Sequence, residues 1–143
     1  MRPLCEFYRI AQSAGIPVDH FRLNKREALS VMDWDGQCCI ALDPRRLRNE
    51  ADERTKLAHE LGHCMTGSFY NQYSAYDVRQ RHENRADKWA ILETVPEEAL
   101  DEAVAAGHTE LWDLAEFFGI DTDLMRKAVC WYTYGNVAAE LYF

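Results

Sequence analysis

The apolar positions of this chain change period twice, and the changes divide it into segments. Residues 3–14 place Leu4, Phe7, Tyr8, Ala11 and Ala14 at helical spacing, with Gly15 as a stop. Three β-prone pieces follow at about 16–23, 28–34 and 37–42, and Asp35-Gly36 between the last two is a tight-turn signal. Cys38 to Leu42 is apolar on both faces, so that strand is expected to be covered on both sides. Asp43-Pro44 closes the strand region, and Asn49 is placed to cap a helix over about 50–66, whose stripe is Leu57, Ala58, Leu61, Cys64 and Met65. Gly62 costs about 1 kcal/mol against Ala in a helix interior, which points to close approach by a neighbouring backbone. After Gly67 comes a tyrosine-rich link, then a long helix from near Ser74 or Asp77 to about Glu93. Val78, His82, Ala86, Trp89, Ala90 and Leu92 form its apolar side, and Pro96 follows its end. The last third predicts three helices: one over 96–106, one capped by Thr109 with Leu111, Leu114, Ala115 and Phe118, and one opened by Asp121 or Thr122 with Leu124, Met125, Ala128, Val129 and Tyr132.

Composition adds bounds to this α+β pattern. With 143 residues and 48% hydrophobic positions, the chain suits one compact unit with its own core. No apolar run approaches the 18 or so residues of a membrane span and the N-terminus lacks a signal pattern, so a cytoplasmic protein is expected. Five cysteines without a C-x-x-C pair fit reduced thiols, with Cys64 in the core. The net charge of −8 falls in residues 96–143, where Arg126 and Lys127 face ten acidic residues. That field repels phosphate backbones, so the helix-turn-helix-like pattern around Gly119 is not expected to bind nucleic acid. A solvated, solubilising face is the plainer reading of these charges, and an acidic docking face for a basic protein is the sharper one. His20 and His108 receive no role, and the tail 136–143 fits a packed arm or a partner contact equally.

Candidate chemistry centres on His59-Glu60-Leu61-Gly62-His63, an H-E-x-x-H on the 50–66 helix. Residues four apart lie one turn apart on one face, so two imidazoles can grip one metal ion and Glu60 can act as general base. The pentapeptide is short enough to arise by chance, so its surroundings decide. A catalytic zinc takes three protein ligands and leaves one position open. The H-x-x-G-x-x-H continuation is absent, because Thr66 and Phe69 stand where its Gly and third His belong. Glu83 on the next long helix has suitable chemistry for the third ligand. Asp87, one turn on, is placed to accept a ring N–H from a ligating histidine. Alternatively, Glu83 and Asp87 belong to a solvated face paired with Arg79, Arg85 or Lys88. His82, Tyr70, Tyr73 and Tyr76 are candidates by type for stabilising an oxyanion. An exposed sheet edge beside the site could align a peptide, although the sequence does not say which strand forms it.

The pentapeptide, followed by Glu83-Asn84-Arg85-Ala86-Asp87-Lys88-Trp89-Ala90 and Pro96, resembles the ImmA/IrrE metallopeptidases, whose pattern is H-E-[LI]-G-H and then E-x-x-A-[ND]-x-F-A before a proline. The likeness covers about residues 4–96, with Trp89 in place of phenylalanine and Glu93-Thr94-Val95 departing from the usual leucine and methionine. It implies a gluzincin-like zinc peptidase with His59, His63 and Glu83 on Zn2+ (Mn2+ being an alternative), Glu60 as base and Asp87 orienting His59. The fold expected is a small antiparallel sheet of two to three strands on a mainly helical zincin-like core, residues 1–95, with an acidic helical region, 96–143, in the same compact unit. The resemblance also implies a substrate, a basic helix-turn-helix repressor of a phage, mobile element or stress response. A non-catalytic metal-containing regulator and the toxin-like member of a toxin–antitoxin pair are the other readings. Intact Glu60 favours the enzyme, since a structural zinc site needs no base.

Overall fold

The computed structural model describes residues 1–138; part of the 136–143 tail therefore lies outside the described residues. Among the described residues, six helices and three strands follow in the order α1 (Leu4–Ser13), β1 (Val18–His20), β2 (Ala28–Met32), β3 (Cys38–Leu42), α2 (Glu50–Thr66), α3 (Tyr76–Thr94), α4 (Glu97–Ala105), α5 (Leu111–Phe118) and α6 (Thr122–Tyr134). The fold is α+β with a mainly helical core, as expected.

The sheet differs from the expectation in one respect: it is mixed rather than antiparallel. β3 lies in the centre, with β2 antiparallel on one side and β1 parallel on the other. β3 is the strand with apolar residues on both faces, and the centre is the one place where both faces and both edges are covered. Its Ile40 and Leu42 are fully buried. The β2–β3 hairpin turns at Gly36, whose φ of 86° lies in the left-handed region open to glycine. There the Asp33 carboxylate accepts from the Gln37 amide at 2.9 Å. The other edge of β2 pairs with no strand among the described residues.

α2 runs through the middle of the molecule, against α1, β2 and β3 on one side and α3 on the other. Its start is fixed by Asn49, whose side chain accepts from the Asp52 amide at 2.9 Å, and its end by Gly67 in the left-handed conformation. Its crossing with α3 is close because Gly62 has no side chain: a Cβ there would run into the backbone of Ala86. α6 packs on α3 and α5 on α6. One apolar cluster passes through all these layers, from Phe7 and Leu42 through Leu57, Leu61 and Ile91 to Met125. Each such fully buried side chain is worth about 1.5–3 kcal/mol of transfer free energy. Met65 and Leu92, assigned above to apolar stripes, are 46% and 56% exposed, and Ile91 takes the buried position on α3 instead.

The cysteines need correction. Cys38 of β3 and Cys64 of α2 form a disulfide, while Cys5 and Cys39 are free. Cys64 points toward the central strand, a pairing that an irregular cysteine set does not reveal without the tertiary approach of helix and strand. The cysteines therefore give no argument for a reducing compartment. Among the described residues, no helix is long and apolar enough to cross a membrane.

Candidate metal centre

His59 and His63 project from one face of α2 toward α3, and Glu83 on α3 meets them. The two Nε2 atoms lie 3.2 Å apart, Glu83 Oε2 is 2.9 Å from His59 Nε2, and Glu83 Oε1 is 3.2 Å from His63 Nε2. The other ring nitrogens are engaged. His63 Nδ1 donates to the carbonyl of Ser68 at 2.5 Å, and His59 Nδ1 lies 2.8 Å from Asp87 Oδ1. A carbonyl can only accept, so the hydrogen of neutral His63 sits on Nδ1 and its Nε2 lone pair faces the cluster. The Asp87 carboxylate selects the same tautomer in His59.

Two imidazole nitrogens and a carboxylate thus converge, an arrangement that repels itself unless a proton or a metal cation lies among the three. Groups bound about 2.0–2.1 Å from a tetrahedral zinc ion stand roughly 3.3 Å apart, close to the separations seen here. The donor set therefore fits such an ion. Protons answer to the same field. Burial works against a charged His59, yet Asp87 and Glu83 outweigh it and push the imidazole up to about 10. His63 is raised too, against burial, with Glu83 the main cause. Burial alone would raise Glu83, but hydrogen bonds from His59, His63 and Tyr70 hold it well below the usual carboxylate range. Asp87 is likewise lowered against burial, by His59 and Lys127.

Glu60 is 8% exposed, and its carboxylate lies with the two histidines in a group whose ligand-type atoms are within 4.8 Å of one another. It opens onto a cleft of about 450 Å³ together with His63 and Glu83, bounded by β2 and by residues 69–72. Of the four oxyanion candidates, Tyr70 lines this cleft and donates to Glu83 Oε1 at 2.7 Å. Burial and the Glu83 charge push its hydroxyl up to about 12, so it stays a donor across the physiological range. His82 stacks on the Tyr70 ring at 6.3 Å. Tyr73 and Tyr76 are 87% and 73% exposed and do not line the cleft.

The family model for the IrrE N-terminal-like domain (Peptidase M78) matches residues 11–129. The chain belongs to this family. No curated protein matches the chain. Membership makes the IrrE-like chain a peptidase-type protein and gives the His59-Glu60-His63 group a metallopeptidase setting. The match runs through the acidic third as far as α6, beyond the span from which the resemblance was drawn.

Contacts from that third reach the back of the site, and sequence reasoning missed them. Lys127 Nζ of α6 donates to Asp87 Oδ2 at 2.8 Å, so the carboxylate facing His59 is held from both sides. The Asp121 amide donates to Thr55 Oγ1 at 2.9 Å, and Arg54 of α2 donates to the carbonyl of Gly119 at 2.5 Å. The one sequence signal for Lys127 was its rarity as a basic residue in an acidic stretch. The Ser68 carbonyl had none, because a backbone acceptor leaves no mark on residue type.

Proposed function

We propose that this IrrE-like chain is a zinc-dependent endopeptidase acting on a protein substrate, with a helix-turn-helix repressor as that substrate. The observation that carries the reading is the convergence of His59 Nε2, His63 Nε2 and Glu83 beside Glu60 in one cleft. A structural site would close its fourth position with a further ligand and would not need a base at its mouth. His59, His63 and Glu83 would hold the zinc ion, which would supply Lewis acidity and lower the pKa of water there toward about 7.

The residues of the chain do the rest. The Glu60 carboxylate takes a proton from the attacking water and returns it to the leaving amine nitrogen. Asp87 fixes the tautomer and angle of His59, and the Ser68 carbonyl does so for His63. Tyr70 is the oxyanion donor favoured by position, since its hydroxyl lies on Glu83 at the cleft wall. The free edge of β2, which supplies Leu29 to Met32 to the cleft, is the strand along which a peptide pairs. Support for a protein target over a nucleic acid comes from α6. Its two basic residues are engaged internally, Arg126 by Asp123 and Lys127 by Asp87, and the surrounding third is acidic.

The test is incubation of the zinc-loaded protein with a co-encoded helix-turn-helix protein, followed by mass spectrometry of the products. Specific cleavage is expected, falling about 10²–10⁴-fold in Glu60→Gln while zinc content stays at one ion per chain. Equal cleavage by both proteins, or none by either, would remove the catalytic reading.

A further inference from the structure

The cleft in front of the metal centre contains two arginines that the chemistry above does not use, Arg26 from the β1–β2 connection and Arg79 from α3. Neither forms an ion pair or a side-chain hydrogen bond among the described residues. Several neighbouring cations are paired, with Arg45 and Arg46 approaching Asp43, Lys56 approaching Asp52 and Asp121, and Lys127 bound to Asp87, whereas Arg26 and Arg79 face the cleft. Arg79 stands one helical turn before Glu83, the spacing at which Arg and Glu ordinarily pair on a helix surface. Glu83 instead gives both oxygens to His59, His63 and Tyr70. Arg79 is thereby left without its neighbour, and its Nε is buried with no acceptor. Both guanidinium groups lie within electrostatic reach of the Tyr70 hydroxyl and line the same cleft as Glu60, His63 and Glu83.

A partly buried cation without a partner is costly, so its retention in an acidic protein calls for an anion that arrives with the ligand. Guanidinium presents a planar fork that matches a carboxylate with two parallel hydrogen bonds. The cleft, about 450 Å³, is lined by Arg26, by β2 and by residues 69–72, which is more room than a small anion fills.

We propose that Arg26 and Arg79 form the specificity subsite of the cleft and bind a carboxylate of the peptide substrate next to the scissile bond. The carboxylate is that of an acidic side chain or of the peptide C-terminus. This rests on the peptidase reading. It separates two roles in recognition: a basic domain of the substrate suits the acidic third of the chain, while the segment that is cut carries the opposite charge.

The experiment uses zinc-loaded Glu60→Gln protein and fluorescein-labelled ten-residue peptide pools on a neutral background. The pools carry Glu, Gln or Lys at one varied position, each as free acid or C-terminal amide, and binding is read by fluorescence anisotropy. A tenfold to hundredfold preference for a carboxylate is expected, in line with charge-assisted hydrogen bonds. A Glu-over-Gln preference among the amides assigns the side chain, and a free-acid-over-amide preference within the Gln pool assigns the C-terminus. Arg79→Gln and the exposed Arg26→Gln, each checked for zinc content and melting temperature, should reduce the preference to less than about threefold. Equal binding of all pools, no binding of any, or a preference that survives both substitutions overturns the proposal. Digestion of the same pools by the unsubstituted protein separates this from the peptidase reading. Carboxylate-selective binding without cleavage would sink the peptidase and keep the subsite, whereas equal cleavage of Glu and Gln pools in both end forms would do the reverse.

Discussion

α2 and α6 each turn a face into the core, but they bury different things. α6 encloses Leu124, Met125 and Ala128, apolar groups that gain by leaving water. α2 encloses Asp52, Arg54, Thr55, Glu60 and His63 among its leucines, groups that lose by it. In the first half of α2 the loss is offset structurally, since Arg54 holds the carbonyls of Arg2 and Gly119. In the second half the offset comes from groups that share protons or a metal ion. Stability is thus concentrated where the pattern is plain, and chemistry where the pattern is violated. Lys127 joins the two, because it leaves α6 to bind Asp87 behind His59.

That contrast can be broken from either end. The largest effect on stability should come from Met125→Ala, which empties a fully buried position and costs about 2–5 kcal/mol, read as a shift of the urea midpoint. The folded fraction should still bind one zinc ion per chain. Asp87→Asn should do the converse, weakening zinc binding about 10–100-fold in a competitive chelator titration. Lys127→Met, acting through the same carboxylate, should weaken it by a smaller factor.

The pH dependence of the zinc-depleted protein sharpens the comparison next. The pKa of His59 is raised from 6.5 to about 10, so its protonated form is stabilised by the fold. That contribution is full below about 6.5 and is lost as pH rises toward 10. The melting temperature of the zinc-depleted protein should fall across this window, and zinc should remove the slope, since the metal replaces the proton. A depleted protein with a flat profile would mean that Asp87 and Glu83 do not act on His59 as the geometry implies. The smallest effect belongs to the exposed pair Arg126 and Asp123: Arg126→Ala should change stability by no more than about 0.5 kcal/mol, measured by the same urea titration.

Much of the fold was legible because local rules wrote it. Asn49 and Gly67 bound α2, Asp35-Gly36 gave the hairpin turn, and Gly62 pointed to a close backbone neighbour that proved to be Ala86. The direction of β1 was not legible, since a three-residue strand does not state whether it pairs parallel or antiparallel with its neighbour. Nor was the Cys38–Cys64 bond, whose partners stand 26 residues apart on a strand and a helix. Tyr70 could not be told from Tyr73 or Tyr76 by type; only the path of residues 69–75 brings its hydroxyl to Glu83.

By itself the sequence determined the H-E-x-x-H helix and the approximate bounds of its neighbours, because helical period, caps and turns act over a few residues. It also determined that Glu83 and Asp87 share one face of a second helix, for the same reason. Only the tertiary structure decided that this face meets His59 and His63 at hydrogen-bonding distance, that the Ser68 carbonyl and Lys127 hold the site from outside it, and that Arg26 and Arg79 share a cleft. Those are meetings of residues distant in the chain, set by how helices and sheet pack around the buried core, and no local rule encodes them.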